Sequence, residues 1–239
     1  MSNKLSNPVV KLGIILLLIL ITIFYVRAFF TTGMYYDQSF LQKNTNGSAS
    51  QYIGKNDYGE FYISVFEQEN NNTVVTYQLP NNISETFTVS FREPEYGDVG
   101  IESITDSQGT QLFDGEYSKE QLFLYDETGN PFIEDDAIIQ IRVNRESPYQ
   151  SGYVIPLKNV VDVAYFANDT IRGKVELFIL ALFLFIITGI DFKFPLLFFK
   201  LRYFLYVRDP EPSYLYIMMQ KISRYVLLTA GVILLILAI

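Results

Sequence analysis

The sequence predicts a membrane protein of the α+β class, with three transmembrane helices and one extracytoplasmic all-β domain of sandwich-like, immunoglobulin-like type. Three observations predict it. The apolar residues collect in three uncharged runs, Leu12–Val26, Leu177–Ile190 and Tyr225–Ile239. Between the first and second runs, apolar and polar residues alternate with a period of two, punctuated by turn residues. The charges are segregated: residues 31–171 hold 7 basic and 22 acidic side chains, a net of −15.

Each apolar run has 14 or 15 residues, short of the roughly 20 that cross a hydrocarbon core. Flanking Lys and Arg supply the rest, because their stems lie in hydrocarbon while their heads reach the interface. The expected spans are 9–30, 174–193 and 218–239. Apolar all round, they lack the polar face of a helix in a soluble fold. The first run has the basic start of a signal peptide in Lys4 and Lys11. Bulky, charged Arg27-Ala28-Phe29-Phe30 follows where small residues are wanted, so an uncleaved anchor is expected.

Charge sets the predicted orientation. Lys4 and Lys11 precede the first span unopposed. Lys193, Lys200, Arg202, Arg208, Lys221 and Arg224 outnumber Asp191, Asp209 and Glu211 between the second and third apolar runs. Lys and Arg favour cytoplasmic loops. Residues 1–8 and the 194–217 loop are therefore expected inside, with 31–171 outside a cell membrane and the carboxyl terminus at its outer face.

Within the middle region, Thr31–Asn56 is polar, with Asn44–Ser50 at its centre, and reads as a linker into a domain spanning 57–171. From Glu60 the period becomes two. Phe61, Ile63 and Val65 alternate with Tyr62, Ser64 and Phe66, and similar sets run through Val74–Leu79 and Phe87–Arg92. Asn70-Asn71-Asn72, Pro80-Asn81-Asn82 and Asp106-Ser107-Gln108-Gly109 supply turns. Further strands are expected at Val99–Thr105, Thr110–Phe113, Leu122–Tyr125, Ile138–Val143, Tyr153–Leu157 and Val160–Tyr165. Eight or nine short strands at this spacing suggest a sandwich, with a partly open barrel as the alternative.

The loop after the second span is apolar, aromatic and basic together. Phe194–Arg208 is expected to form an interfacial amphipathic helix, with Lys200, Arg202 and Arg208 meeting anionic lipid. Asp209-Pro210-Glu211-Pro212 ends it, and Ser213 can cap the helix that follows.

The chain has no His and no Cys. This excludes Ser–His and Cys–His hydrolases and the usual zinc sites, and leaves the exported domain without disulfides. A Ser–Lys dyad could draw only on Lys43, Lys55, Lys119 and Lys158 in the outer region, which read as surface lysines. Paired carboxylates for glycoside chemistry cannot be singled out among so many acids. No catalytic or cofactor residue is assigned. The weak calcium candidates are Asp126, Asn130, Glu134, Asp135 and Asp136, oxygen ligands around a short turn whose spacing is not that of an EF-hand. A charged loop at the domain tip is the competing reading.

Asn46, Asn71, Asn82 and Asn168 each open an Asn-x-Ser/Thr triplet and mark exposed loops. Arg27 and Glu176, near the outer ends of the first two spans, form a candidate intramembrane pair, against independent snorkelling. Gly13, Gly189 and Ala230-Gly231 offer close helix approach. The acidic domain would repel nucleic acid. The leading expectation is a non-enzymatic protein that is embedded in lipid and whose outer domain binds or senses a protein partner. An accessory subunit of a transport or secretion complex comes second, and a membrane-anchored hydrolase with an atypical Ser-Lys or carboxylate site third.

Overall fold

The computed structural model of the protein describes residues 8–92, 99–118, 120–121, 123–134, 147–150, 152–203 and 211–239. The expected strand at Ile138–Val143 lies outside these. The chain divides into two compact units, a helical one (residues 1–31 and 172–239) and a sheet unit, Thr32–Ile171.

Three helices of the helical unit are long and apolar enough to cross a membrane: α1 (Pro8–Phe29), α3 (Val175–Lys193) and α5 (Tyr214–Leu237). α5 begins four residues before the expected span, because Ser213 caps it, its hydroxyl accepting from the Tyr216 N–H. α3 and α5 pack as an antiparallel pair. Gly231 lets them approach, since a Cβ there would stand 2.9 Å from the Phe185 ring. α1 joins near its carboxyl end, where Tyr25 donates to the Leu235 carbonyl and the Phe29 ring lies tilted 5.2 Å from that of Phe178. After α3 the chain breaks at Phe194-Pro195 and resumes as α4 (Leu197–Tyr203), so Pro195 starts a separate helix and does not merely kink a longer span.

The sheet unit has ten described strands: β1 (Thr32–Tyr36), β2 (Ser39–Asn46), β3 (Ala49–Asn56), β4 (Gly59–Glu67), β5 (Asn72–Leu79), β6 (Ile83–Phe91), β7 (Val99–Thr105), β8 (Gln111–Ser118), β9 (Phe123–Tyr125) and β10 (Thr170–Ile171). All pair antiparallel in one sheet of order β10-β1-β2-β3-β4-β5-β6-β7-β8-β9. The described strands thus form a single meander, not two stacked sheets. The sheet is strongly curled. The Tyr36 and Tyr77 rings stand 6.1 Å apart, although their strands are four steps apart, roughly 19 Å across a flat sheet.

The alternation read from the sequence lands on the concave face. Phe61, Ile63, Val65, Val75, Tyr77, Leu79, Phe87 and Val89 are all buried. What covers that face differs from expectation. Val160–Tyr165, read as a strand, forms most of helix α2 (Leu157–Ala164) and its C-cap, Tyr165, and Tyr153–Pro156 is irregular. Leu157, Val160, Val161 and Ala164 stand at the i, i+3, i+4, i+7 positions of one helix face. Pro156 occupies the N-cap position in extended conformation. Burial against β5 and β6 overrides the strand preference of the valines.

The stretch expected as a linker also folds. β1, β2 and β3 occupy it, joined by two-residue turns at Asp37-Gln38 and Gly47-Ser48. Asp37 and Gln38 both have positive φ, as does Gly47, the geometry that matches the twist of a tight hairpin. The strands at the two ends of this order are short, three residues in β9 and two in β10.

Candidate functional site

α2 carries one acid into the core. Asp162 is 1% exposed and is satisfied from three directions. It accepts from the Tyr117 hydroxyl, from Lys158 Nζ at 2.6 Å and from Asn168 Nδ2 at 3.0 Å. Tyr77 donates to the Asn159 carbonyl at 3.1 Å. A second knot lies near the end of the unit, where Asp169 accepts from Lys43 Nζ at 2.5 Å and from the Tyr52 hydroxyl at 2.6 Å. Lys43 also sits 4.1 Å from the centre of the Phe166 ring. Burial, then the bond to the neighbouring carboxylate, pushes the Tyr52 and Tyr117 phenols well above their usual value. Both therefore stay protonated and act as hydrogen-bond donors. The arrangement clamps α2 to the concave face.

Two clefts open beside this helix. The first, of about 410 Å³, lies where the carboxyl end of α2 meets the β4–β5 turn and the end of β6. Gln68, Asn71 and Asn72 offer amides, and Phe91 and Tyr165 form an aromatic wall with ring centres 5.8 Å apart. Arg92 enters from the sheet side, its guanidinium braced by bonds to the carbonyls of Ile101 and Gly115 at 3.2 and 3.1 Å. The second cleft, of about 370 Å³, sets Glu85, Asp106 and Glu134 around an apolar floor that includes Phe87, Phe132 and Ile155.

The calcium candidates are used locally. Asp126 Oδ1 accepts from the Thr128 N–H and hydroxyl at 2.9 and 2.6 Å and from the Asn130 N–H at 2.9 Å. Asn130 turns its amide onto the Thr128 hydroxyl. Glu134 accepts from the Leu157 N–H in the first turn of α2. Among the described residues no three His, Cys, Asp or Glu side chains gather as a metal site. Asp135 and Asp136 lie outside the described residues.

Asp106 repeats the geometry of Asp126, accepting from the Gln108 and Thr110 N–H groups, both at 2.8 Å. Each turn ends on a glycine of φ +80°, Gly109 and Gly129. The bonds hold both carboxyls below the ordinary carboxylate range, led by the Thr110 N–H at Asp106 and by the Thr128 hydroxyl at Asp126.

In the helical unit, Arg27 lies in the last turn of α1 and Glu176 in the first turn of α3. Both are exposed, and no ion pair joins them. Lys200 and Arg202 lie in the last turn of α4; Arg208 lies outside the described residues. The ion pair that does form was not anticipated. Asp191 of α3 accepts from Arg224 Nε at 2.5 Å and from Gln220 Nε2 at 2.5 Å, both on α5, and Gln220 also reaches the Pro195 carbonyl. The Asp191 and Arg224 side chains are only 10% and 15% exposed. A signal was present in the sequence: Asp191 directly follows one uncharged run and Arg224 directly precedes another. Consecutive apolar helices that pack antiparallel bring those two positions to one level.

Comparison with known proteins bears on this helical unit alone. No curated protein and no solved structure matches the chain. Residues 180–238, from within α3 through α4 and the whole of α5, match DUF6199, a family of unknown function, and that stretch contains the Asp191–Arg224 pair.

Proposed function

We propose that this is a non-enzymatic membrane protein whose sheet unit faces the side opposite the amino terminus and binds or senses a protein partner. The 410 Å³ cleft carries the reading. It combines planar amides, a braced guanidinium and an aromatic wall on one concave surface. Such a surface suits recognition, in which a few polar groups fix orientation and aromatic area supplies affinity. The absence of His and Cys from the chain points the same way. In this reading the basic 194–217 loop is cytoplasmic, and α4 lies in the interface with Lys200, Arg202 and Arg208 toward lipid headgroups.

A photo-crosslinking side chain at Gln68, in cells, tests it. A discrete adduct is expected there, with none at Ser64, a β4 residue whose side chain lies on the other face of the sheet. Identical patterns at the two positions would defeat the reading. The second reading, an accessory subunit of a transport or secretion complex, is favoured by one observation. The family match falls on the helices and leaves the sheet unit uncovered. Under that reading, adducts would form from probes on α3 and α5, not from Gln68.

A further inference from the structure

Lys221 and Arg224 stand three residues apart on α5, a spacing that sets side chains one above the other on one face. Like charges so placed repel. Among the described residues a single carboxylate, Asp191, pairs with Arg224, and none pairs with Lys221. Asp191 Oδ2 takes Arg224 Nε, and its other oxygen takes Gln220. Among the described residues, the terminal nitrogens of Arg224 and the Lys221 ammonium make no further hydrogen bond or ion pair. Phe192 lies against the guanidinium, 5.2 Å from ring centre to Cζ, and contributes no anion. The cluster therefore keeps surplus positive charge and an unused guanidinium edge.

Its position says which anion is at hand. Arg224 is the last charge before the uncharged run Tyr225–Ile239, and Asp191 the first after Leu177–Ile190. The cluster thus marks the end of the part of the hairpin suited to hydrocarbon, where phospholipid phosphates lie. A cavity of about 290 Å³ opens beside it. Asp191, Gln220 and Ser223 make one part of its lining polar, while Ile187, Met219 and Leu227 make the rest apolar. That division matches an amphiphile.

We propose that this end of the α3–α5 hairpin is a binding site for an anionic phospholipid. The phosphate accepts from the free edge of the Arg224 guanidinium and from the Lys221 ammonium. The ester oxygens accept from the Ser223 hydroxyl, and the first acyl carbons lie on Ile187 and Leu227. Asp191 fixes the guanidinium through Nε so that its outer edge stays available. A zwitterionic headgroup would bring its own ammonium against surplus cations and bind less well. The site does not depend on which side of the membrane the sheet unit faces.

Native mass spectrometry of the full chain, purified in mild detergent, tests this. The ligands are phosphatidylglycerol, phosphatidylcholine, diacylglycerol and inorganic phosphate. The wild type is expected to retain phosphatidylglycerol best and diacylglycerol and inorganic phosphate least. Lys221→Gln leaves the Asp191–Arg224 pair in place, and its exposed position keeps the fold. It should lower phosphatidylglycerol retention about fivefold, the effect of one basic residue at a lipid surface. Arg224→Lys keeps the charge but loses the fork, and should also weaken retention. Equal retention by wild type and Lys221→Gln would overturn the proposal. So would diacylglycerol binding as well as phosphatidylglycerol. Retention of inorganic phosphate at the level of the lipid would replace the lipid with a free anion.

Discussion

Single side chains in the sheet unit close its turns. Asp106 and Asp126 each fold a carboxylate back onto two backbone N–H groups, and those bonds favour the ionised form. The folded carboxyls titrate lower than the unfolded ones. Their contribution to stability is therefore complete above the unfolded carboxylate value and is lost as pH falls through the folded value. Carboxyl chemical shifts against pH should place both midpoints below the ordinary aspartate value. Midpoints at or above it would show that the turns do not use these bonds. Gly115 is the other residue on which local geometry rests. Its φ is +149°, and a Cβ there would stand 2.2 Å from the Tyr125 carbonyl oxygen. Gly115→Ala should destabilise the unit by several kcal/mol, whereas Gly47→Ala, at φ +63° in open space, should cost about 1–2 kcal/mol. Denaturant unfolding of the two variants separates them. The turn at Asp106 was legible in the sequence. The bonds made by Asp126 were not, because composition shows a carboxylate without showing that its Oδ1 closes the turn to Thr128 and Asn130.

At the level of elements, the sequence was clearest where one face of a strand is buried and the other is not. Phe61-Tyr62-Ile63-Ser64-Val65 could hardly be read otherwise, and all three apolar members are buried. It was least clear where a short apolar segment is buried on nearly every side. Val160-Val161-Asp162-Val163-Ala164 is such a segment: every residue in it is buried, so neither a period of two nor of 3.6 stands out. The carboxylate inside it was the clue, since a buried acid needs donors that only a packed helix end and facing strands supply. Asp162→Ala should cost the sheet unit about 3 kcal/mol, because it strands the Tyr117 and Asn168 donors in the core. Retention of wild-type stability in thermal unfolding would contradict that role. The hairpins β1 to β3 were hidden by composition, although Gly47-Ser48 is a glycine-first pair suited to a tight hairpin turn. In the helical hairpin, removing one partner of the Asp191–Arg224 pair leaves the other charge poorly solvated. Asp191→Ala should lower stability in micelles by about 3–5 kcal/mol. Asp191→Leu with Arg224→Met should recover most of it, and a double variant no better than the single would refute the pairing.

Across the whole molecule, the chain passes from α1 into β1 and from β10 into α3 with only a few residues between. β1 and β10 pair with each other through Thr32↔Ile171 and Gly33↔Thr170, so the sheet unit begins and ends on adjacent strands. Membrane anchoring at both ends of a sheet unit is what the charge pattern and the three apolar runs implied. The single-sheet meander was not, because alternation gives each strand's buried face and says nothing of strand order. The proposed topology sets the acidic sheet unit and the basic α3–α5 loop on opposite sides of a membrane. The chain contains no cysteine, so one introduced thiol is an unambiguous reporter. Ser107→Cys in the β7–β8 turn and Ser213→Cys at the start of α5, both exposed, can each be treated in intact cells with a membrane-impermeant maleimide. Ser107→Cys should be labelled at once and Ser213→Cys only after the cells are opened; labelling of position 213 alone, or of both in intact cells, would contradict this topology.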